Sequence, residues 1–97
     1  MEIEKILEGE KLIVKLTGRL DTSTAPSLEA ALGDYAGVNE LLFDFSGLEY
    51  ISSAGLRVIL AAHKAMAKKN GLVLTGVCDD IMEVFEITGF ADILTIE

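Results

Sequence analysis

The spacing of apolar residues along this chain switches from every second position to every third or fourth and back, three times over. No all-helical or all-strand fold produces that pattern. Between Lys11 and Thr17, Leu12, Val14 and Leu16 fall on one side and Lys11, Lys15 and Thr17 on the other, as in a half-buried strand. Ile3 to Glu8 mixes apolar and charged residues as a short strand does, and Gly9-Glu10 hairpins it to the next. Gly18 to Thr24 reads as a polar connection. A helix follows, with Thr24 as cap, Pro26 in the first turn, and Leu28, Ala31, Leu32 and Tyr35 at helical spacing before Gly33 and Gly37.

The run Glu40 to Ser46 holds Leu41, Leu42, Phe43 and Phe45, which predicts a central strand covered on both faces, with Gly47 to Ser53 as loop. Leu56, Ile59, Leu60, His63, Met66 and Ala67 form the stripe of a second helix, with Lys68 and Lys69 in its last turn and Asn70-Gly71 at its end. Leu72 to Cys78 reads as a strand, and Asp79 or Asp80 as the cap of a short helix through Ile81, Val84 and Phe85 that Thr88-Gly89 stops. Ile93, Leu94 and Ile96 make a last strand. The predicted order is β-β-α-β-α-β-α-β, an α/β fold with a mixed, mostly parallel sheet and helices packed against it. Ninety-seven residues with no Gly/Ser tract or repeat predict one domain over residues 1–97. Functional loops in such sheets gather at the carboxyl ends of the strands. Two polar loops meet that description, Leu20 to Thr24 and Ser46 to Ser53.

Charge removes several functions. Sixteen acidic against eight basic side chains leave a net charge of −8, whereas nucleic acid and anionic membranes demand clustered Lys and Arg. With 51% hydrophobic residues the acidic excess is not the mark of a disordered chain. Cys78 stands alone, which excludes an internal disulfide and a thiolate zinc cluster and reads as a buried thiol at a strand end. No run approaches the ~20 apolar residues of a membrane span. Glu2 and Glu4 stand where a secretory signal carries basic residues, so the expected location is cytoplasmic.

Enzyme chemistry finds little support. His63, the sole histidine, lies ten residues after Ser53 on the same predicted helix, roughly 15 Å along its axis, and general-base contact needs about 3 Å. His63 is expected to be a core histidine. No acidic cluster has metal-ligand spacing, and neither Gly76–Asp80 nor Gly47–Gly55 has the pattern of a phosphate-binding loop. No catalytic residue, metal or cofactor is predicted.

The informative segment is Tyr50-Ile51-Ser52-Ser53-Ala54-Gly55-Leu56, where two serines open the amphipathic helix. One serine can cap the helix, worth around 1 kcal/mol. The other reading is a phosphorylation switch. A phosphate here is tolerated by the helix dipole, yet it disrupts a partner docked over the loop beside Asp21 and Asp44. A penalty of ~3–4 kcal/mol weakens binding several-hundred-fold.

Four motifs together resemble the STAS domain, and most closely the stand-alone bacterial anti-sigma factor antagonists. They are Leu16-Thr17-Gly18-Arg19-Leu20-Asp21 with Thr24-Ala25, Asp44-Phe45-Ser46-Gly47-Leu48, Ile51-Ser52-Ser53-Ala54-Gly55-Leu56, and Phe85-Glu86-Ile87-Thr88-Gly89-Phe90. The resemblance covers essentially the whole chain. It implies partner switching. The unphosphorylated antagonist binds an anti-sigma factor that is also a serine kinase with a histidine-kinase-like ATP fold, and so frees the sigma factor. The kinase phosphorylates a serine at the start of the second helix, and a PP2C-type phosphatase restores it. Carried over by motif, the acceptor is Ser53, with Ser52 as the alternative. The implied partner-binding surface comprises Asp21, Thr22, Ser23, Thr24, Ser52, Ser53, Ala54, Gly55 and Arg57. Many switching members carry aspartate where this chain has Ser52 and a second hydroxyl residue where it has Ala54. Two other roles known for STAS domains are a subunit of a membrane lipid-transport or transporter complex and a nucleotide-sensing module. The resemblance also implies a monomer when free of partners, with no membrane insertion of its own.

Overall fold

A computed structural model describes all 97 residues, and its element order is the predicted one. The strands are β1 (Glu2–Glu8), β2 (Lys11–Leu20), β3 (Glu40–Ile51), β4 (Leu72–Thr75) and β5 (Thr95–Ile96). The helices are α1 (Ala25–Leu32), α2 (Ser53–Met66) and α3 (Asp79–Thr88), and a short 3₁₀ turn spans Phe90–Asp92. The strands lie in the sheet in chain order, β1-β2-β3-β4-β5. β1 and β2 form an antiparallel hairpin, and every later pairing is parallel.

Alternation along β2 sends Leu12, Val14, Leu16 and Leu20 to the face that the helices cover. Their neighbours Leu41, Phe43, Phe45, Leu72 and Leu74 point the same way. Phe43, Phe45 and Phe85 stack in sequence, with ring centroids 5.8 and 6.4 Å apart, and so tie α3 to β3. The core contains no buried polar or charged residue. The opposite face carries Ile13, Lys15, Leu42, Asp44, Val73 and Thr75, none of them fully buried. The prediction that β3 is covered on both faces is therefore corrected. Its apolar run reflects one buried face and a half-buried band on the other.

The largest correction concerns the end of β3. Gly47 to Ile51 is strand, not loop, and Gly18 to Leu20 likewise extends β2. The two strands stay paired to Leu20↔Ile51 because β3 absorbs two register shifts, between Lys15/Thr17 and Gly18/Arg19 of β2. Each adds a residue to β3 and breaks its alternation, so Leu48 and Ile51 are both buried at odd spacing. At the first bulge the Ser46 amide donates to Asp44 Oδ1 at 2.9 Å. β4 stops at Thr75, short of the predicted Cys78, because Gly76 (φ +70°) passes against that bulge. A Cβ on Gly76 would sit 2.9 Å from the Ser46 nitrogen.

Three smaller expectations also change. Cys78 is exposed, because it follows the strand and stands at the N-cap of α3, where its thiol donates to the Leu48 carbonyl at 3.8 Å. Asp79 and Asp80 occupy the first turn of α3 and make no side-chain cap bond, so they act on the helix dipole instead. The buried stripe of α2 is Gly55, Leu56, Val58, Ile59, Ala62 and Met66. It is rotated from the predicted one, which leaves Leu60 and His63 half-buried at its flank and Ala67 exposed beyond the helix. Lys68 and Lys69 also lie past the helix, and Lys69 closes the α1–β3 loop by donating to the carbonyls of Tyr35 and Val38 at 2.8 and 2.7 Å.

Candidate functional site

β2 and β3 end side by side at Leu20 and Ile51, so the chain segments that follow them leave one edge of the sheet together. The Ser52 amide donates to the Leu20 carbonyl at 2.9 Å, continuing the ladder one step past the strands. The two predicted loops are thereby joined into one surface, formed by the turn Asp21–Thr24 and the start of α2.

The turn is organised by one carboxylate oxygen. Asp21 Oδ1 accepts from the Ser23 amide at 3.0 Å, the Ser23 hydroxyl at 2.7 Å and the Thr24 amide at 3.2 Å. These bonds, that of the Ser23 hydroxyl foremost, hold the Asp21 carboxyl below its ordinary pKa. Thr24 stands at the N-cap of α1 as predicted, but its hydroxyl makes no cap bond. Instead it donates to the Arg19 carbonyl at 2.9 Å and accepts from the Asp21 amide at 2.8 Å. Pro26 occupies the first helical turn of α1, where a missing N–H costs nothing.

The second half of the surface is looser. Ser52 is the N-cap of α2, half-buried, and its hydroxyl accepts from the Gly55 amide at 3.4 Å. Ser53 is the first helical residue and is exposed. Gly55 is buried where α2 backs onto the strand ends. A Cβ there would lie 2.7 Å from Leu20 Cγ and 3.0 Å from Ile51 Cγ1, so only glycine lets the helix start this close. Thr22, Ala54 and Arg57, together with Ala25, Pro26, Glu29 and Val58, line a shallow groove of about 340 Å³ between α1 and α2. Arg57 is exposed on that groove, one helical turn beyond Ser53.

The structure thus brings Asp21, Thr22, Ser23, Thr24, Ser52, Ser53, Ala54, Gly55 and Arg57 to one edge. It does not bring Asp44 there. Six residues of strand lie between Asp44 and Ile51, a span of about 23 Å at ~3.3 Å for each of seven steps, so the expected proximity to Ser53 is corrected. Asp44 instead serves the first bulge, and the Ser46 hydrogen bonds lower its pKa, with a smaller contribution from Lys15. One feature of the edge was missed in the sequence. Arg19 lies over the Tyr50 ring, 4.2 Å from its centroid, as facing residues of the paired strands. Only the two register shifts set Tyr50, rather than Leu48, opposite Arg19, and no spacing in the sequence reports them. No group of three or more His, Cys, Asp or Glu side chains is arranged to hold a metal ion. No helix is long and apolar enough to cross a membrane.

Comparison with known families decides the assignment, because the STAS domain family matches residues 2–97. The chain is a STAS domain. Its curated relatives include the anti-sigma-B factor antagonist of Listeria monocytogenes, 37% identical over 94 residues that cover 93% of this chain and 82% of the relative. The corresponding Staphylococcus aureus protein is 31% identical over 97 residues, covering 97% of this chain and 90% of that one. Among solved structures, an anti-sigma factor antagonist from Mycobacterium paratuberculosis superposes with a TM-score of 0.86 at 23% identity, covering 98% of this chain and 83% of that one. SpoIIAA, solved in unphosphorylated and phosphorylated forms, superposes with TM-scores of 0.76 and 0.75 at 16% and 18% identity, over 99% of this chain and 87% and 91% of those chains. These likenesses confirm the α/β STAS fold with its five-stranded mixed sheet. The Listeria and Staphylococcus relatives, each more than 30% identical, set this STAS domain among regulatory binding proteins rather than enzymes.

Proposed function

We propose that this STAS domain is an anti-sigma factor antagonist whose partner binding is switched by phosphorylation of Ser53. In this reading the unphosphorylated protein docks its Asp21 turn and α2 start on an anti-sigma factor that is also a serine kinase with a histidine-kinase-like ATP fold. The sigma factor is then released. The kinase directs the Ser53 hydroxyl at the γ-phosphorus of its bound ATP. A new Oγ–P bond forms, the bond to ADP breaks, and the hydroxyl proton is lost to solvent or to a kinase base. A PP2C-type phosphatase hydrolyses the phosphoester and resets the protein. The names of the Listeria and Staphylococcus relatives support the antagonist role. The two states in which SpoIIAA has been solved support the switch.

The observation that carries the proposal is the division of labour between the two serines. Ser52 is half-buried and holds the helix cap, whereas Ser53 is exposed at the first position of α2. An acceptor at Ser53 receives a phosphate without undoing the cap, and the free N–H groups and positive end of the helix favour the added charge. The same charge lands beside the groove that Thr22, Ala54 and Arg57 line, where it obstructs a docked partner. Incubation with the cognate anti-sigma kinase and ATP, followed by mass spectrometry, tests this. Ser53 is expected to gain phosphate in the wild type and in Ser52→Ala, and no phosphate is expected in Ser53→Ala. Calorimetry is expected to show Ser53→Asp binding the kinase about a hundred-fold more weakly than wild type, near 3 kcal/mol. An unmodified Ser53, or a Ser53→Asp variant that binds as well as wild type, overturns the switch. Saturable ATP binding by the STAS domain alone points to nucleotide sensing instead.

A further inference from the structure

We propose that the open face of the sheet is a self-association surface, on which two copies pack sheet against sheet about a two-fold axis running parallel to the strands between β2 and β3. The proposal rests on the register of the sheet and is independent of the Ser53 switch. Ile6 pairs with Ile13, Ile13 with Leu42, and Leu42 with Val73, so one row of four apolar side chains crosses β1 to β4 on the face without helices. Ile6 is 45% exposed, and the other three are half-buried with no layer above them. On either side of this row the charges are sorted by strand. β1 presents Glu4 and Glu8, β2 presents Lys15 and Lys11, β3 presents Asp44 and Glu40, and β4 presents Thr75.

Across β1 to β4 the face is therefore acidic, basic, acidic, neutral, with Glu97 beside Thr75 past the end of β5, at the margin that overhangs the seam. That order selects both the occupant and the axis. A uniformly charged partner meets at least one strand of its own sign. A second copy turned about an axis directly over β2 sets lysines on lysines and β1 acids on β3 acids. Turned about an axis between β2 and β3, it sets β2 on the partner's β3 and β1 on the partner's β4. An axis parallel to the strands keeps each row level. Lys15 then faces Asp44 of the second copy, Lys11 faces Glu40, Ile13 faces Leu42, and Ile6 faces Val73. No like charges oppose one another, and eight apolar side chains close into one seam.

Sheets stacked in this way sit ~10 Å apart and cross at about 30°, so the central β2–β3 contacts hold register best. Four strands at ~4.8 Å and a strand length of ~20 Å give a footprint of roughly 400 Å² per copy. The total buried surface is then about 800 Å², below that of stable interfaces and in the range of weak, transient ones, so the dissociation constant is on the order of hundreds of micromolar. At lower concentrations the protein is a monomer. The helices and the Ser53 edge lie outside the seam, so the dimer leaves the switch surface open.

Sedimentation equilibrium of the whole chain over a range of concentrations tests the proposal. The wild type is expected to show a monomer–dimer equilibrium that Lys15→Asp and Asp44→Lys each weaken at least about tenfold. The decisive sample is their equimolar mixture. In the heterodimer each reversed charge meets an opposite one, so the mixture is expected to associate about as tightly as wild type. Asp44 also holds the Ser46 amide, so Lys11→Glu with Glu40→Lys provides a second pair away from the bulge, and circular dichroism checks that all four variants are folded. A wild type that stays monomeric to about a millimolar overturns the proposal. So does a dimer indifferent to the reversals, or two mixtures that fail to recover association.

Discussion

The Asp21–Thr24 turn and the Ser52–Gly55 helix start leave the same edge of the sheet by opposite means. The first is tied by hydrogen bonds from Ser23 and Thr24 that converge on one carboxylate oxygen. The second rests on one long cap bond and on the close seat of Gly55 against Leu20 and Ile51. Rigidity on one side of the site thus comes from polar bonds, and on the other from packing. The difference explains how two adjacent serines are held apart in role. A site that must accept a bulky anion cannot have its acceptor hydroxyl built into the turn's own network, as that of Ser23 is. Ser53 stays outside any such network because Gly55, and not a ring of side-chain bonds, fixes where α2 begins.

That contrast can be broken most severely at Gly55. Gly55→Val drives two methyl groups into Leu20 and Ile51, and overpacking of this kind costs roughly 2–3 kcal/mol. The expected result is a clear fall in the denaturant midpoint with an unchanged slope, read by circular dichroism. A smaller effect is expected at the cap. Ser52→Ala removes a bond already stretched to 3.4 Å, so its cost lies near the low end of cap substitutions, about 0.5 kcal/mol. Ser53→Ala, by comparison, removes no hydrogen bond and places a better helix former in the first turn, so it is expected to leave the midpoint unchanged or slightly raised. Equal losses at Ser52 and Ser53 would erase the division of labour between them.

The polar side of the contrast is sharpened by pH. Both Asp21 and Asp44 have pKa values below their unfolded values, chiefly through hydrogen bonds from Ser23 and Ser46 respectively. The unfolded state then binds protons more readily than the native state as pH drops below about 4. Stability from these groups is present above the unfolded pKa and is lost as pH falls through the lower folded one. The expected outcome is an acid-unfolding profile that flattens in Asp21→Asn and flattens again in the double variant with Asp44→Asn. Because both carboxylates are largely solvated, this effect is smaller than that of the Gly55 or Ser52 substitution.

The legibility of the fold in the sequence follows from where alternation survives. β2 and the type and order of every element are readable because one face of each is buried and the spacing repeats. The Ser52-Ser53-Ala54-Gly55 helix start is readable because capping chemistry and an amphipathic stripe coincide there. What failed did so at interruptions. Two bulges in β3 moved Leu48 and Ile51 out of phase, and Ser46-Gly47 has the composition of a turn, so strand read as loop. Cys78 follows four β-forming residues, and only the backbone of Gly76 against Ser46 ends the strand before it. Periodicity fixes the helix stripe only to within a residue or so, and that is why His63 falls at its margin. The Asp21 network involves side chains folding onto their own backbone, which no spacing rule reports.

The order of strands in the sheet, identical to their order in the chain, bears on how the protein is made. Each strand emerging from the ribosome finds its neighbour already laid down, and none is held unpaired for a partner still to be synthesised. The hairpin of β1 and β2 offers the first template, and each helix-linked crossover adds one parallel strand at the growing edge. Parallel pairing is ordinarily slow because distant segments must meet. Here every meeting is between successive strands, so the Asp21 and Ser53 edge is complete once β3 has paired with β2 and α2 has docked, before β4 and β5 are added.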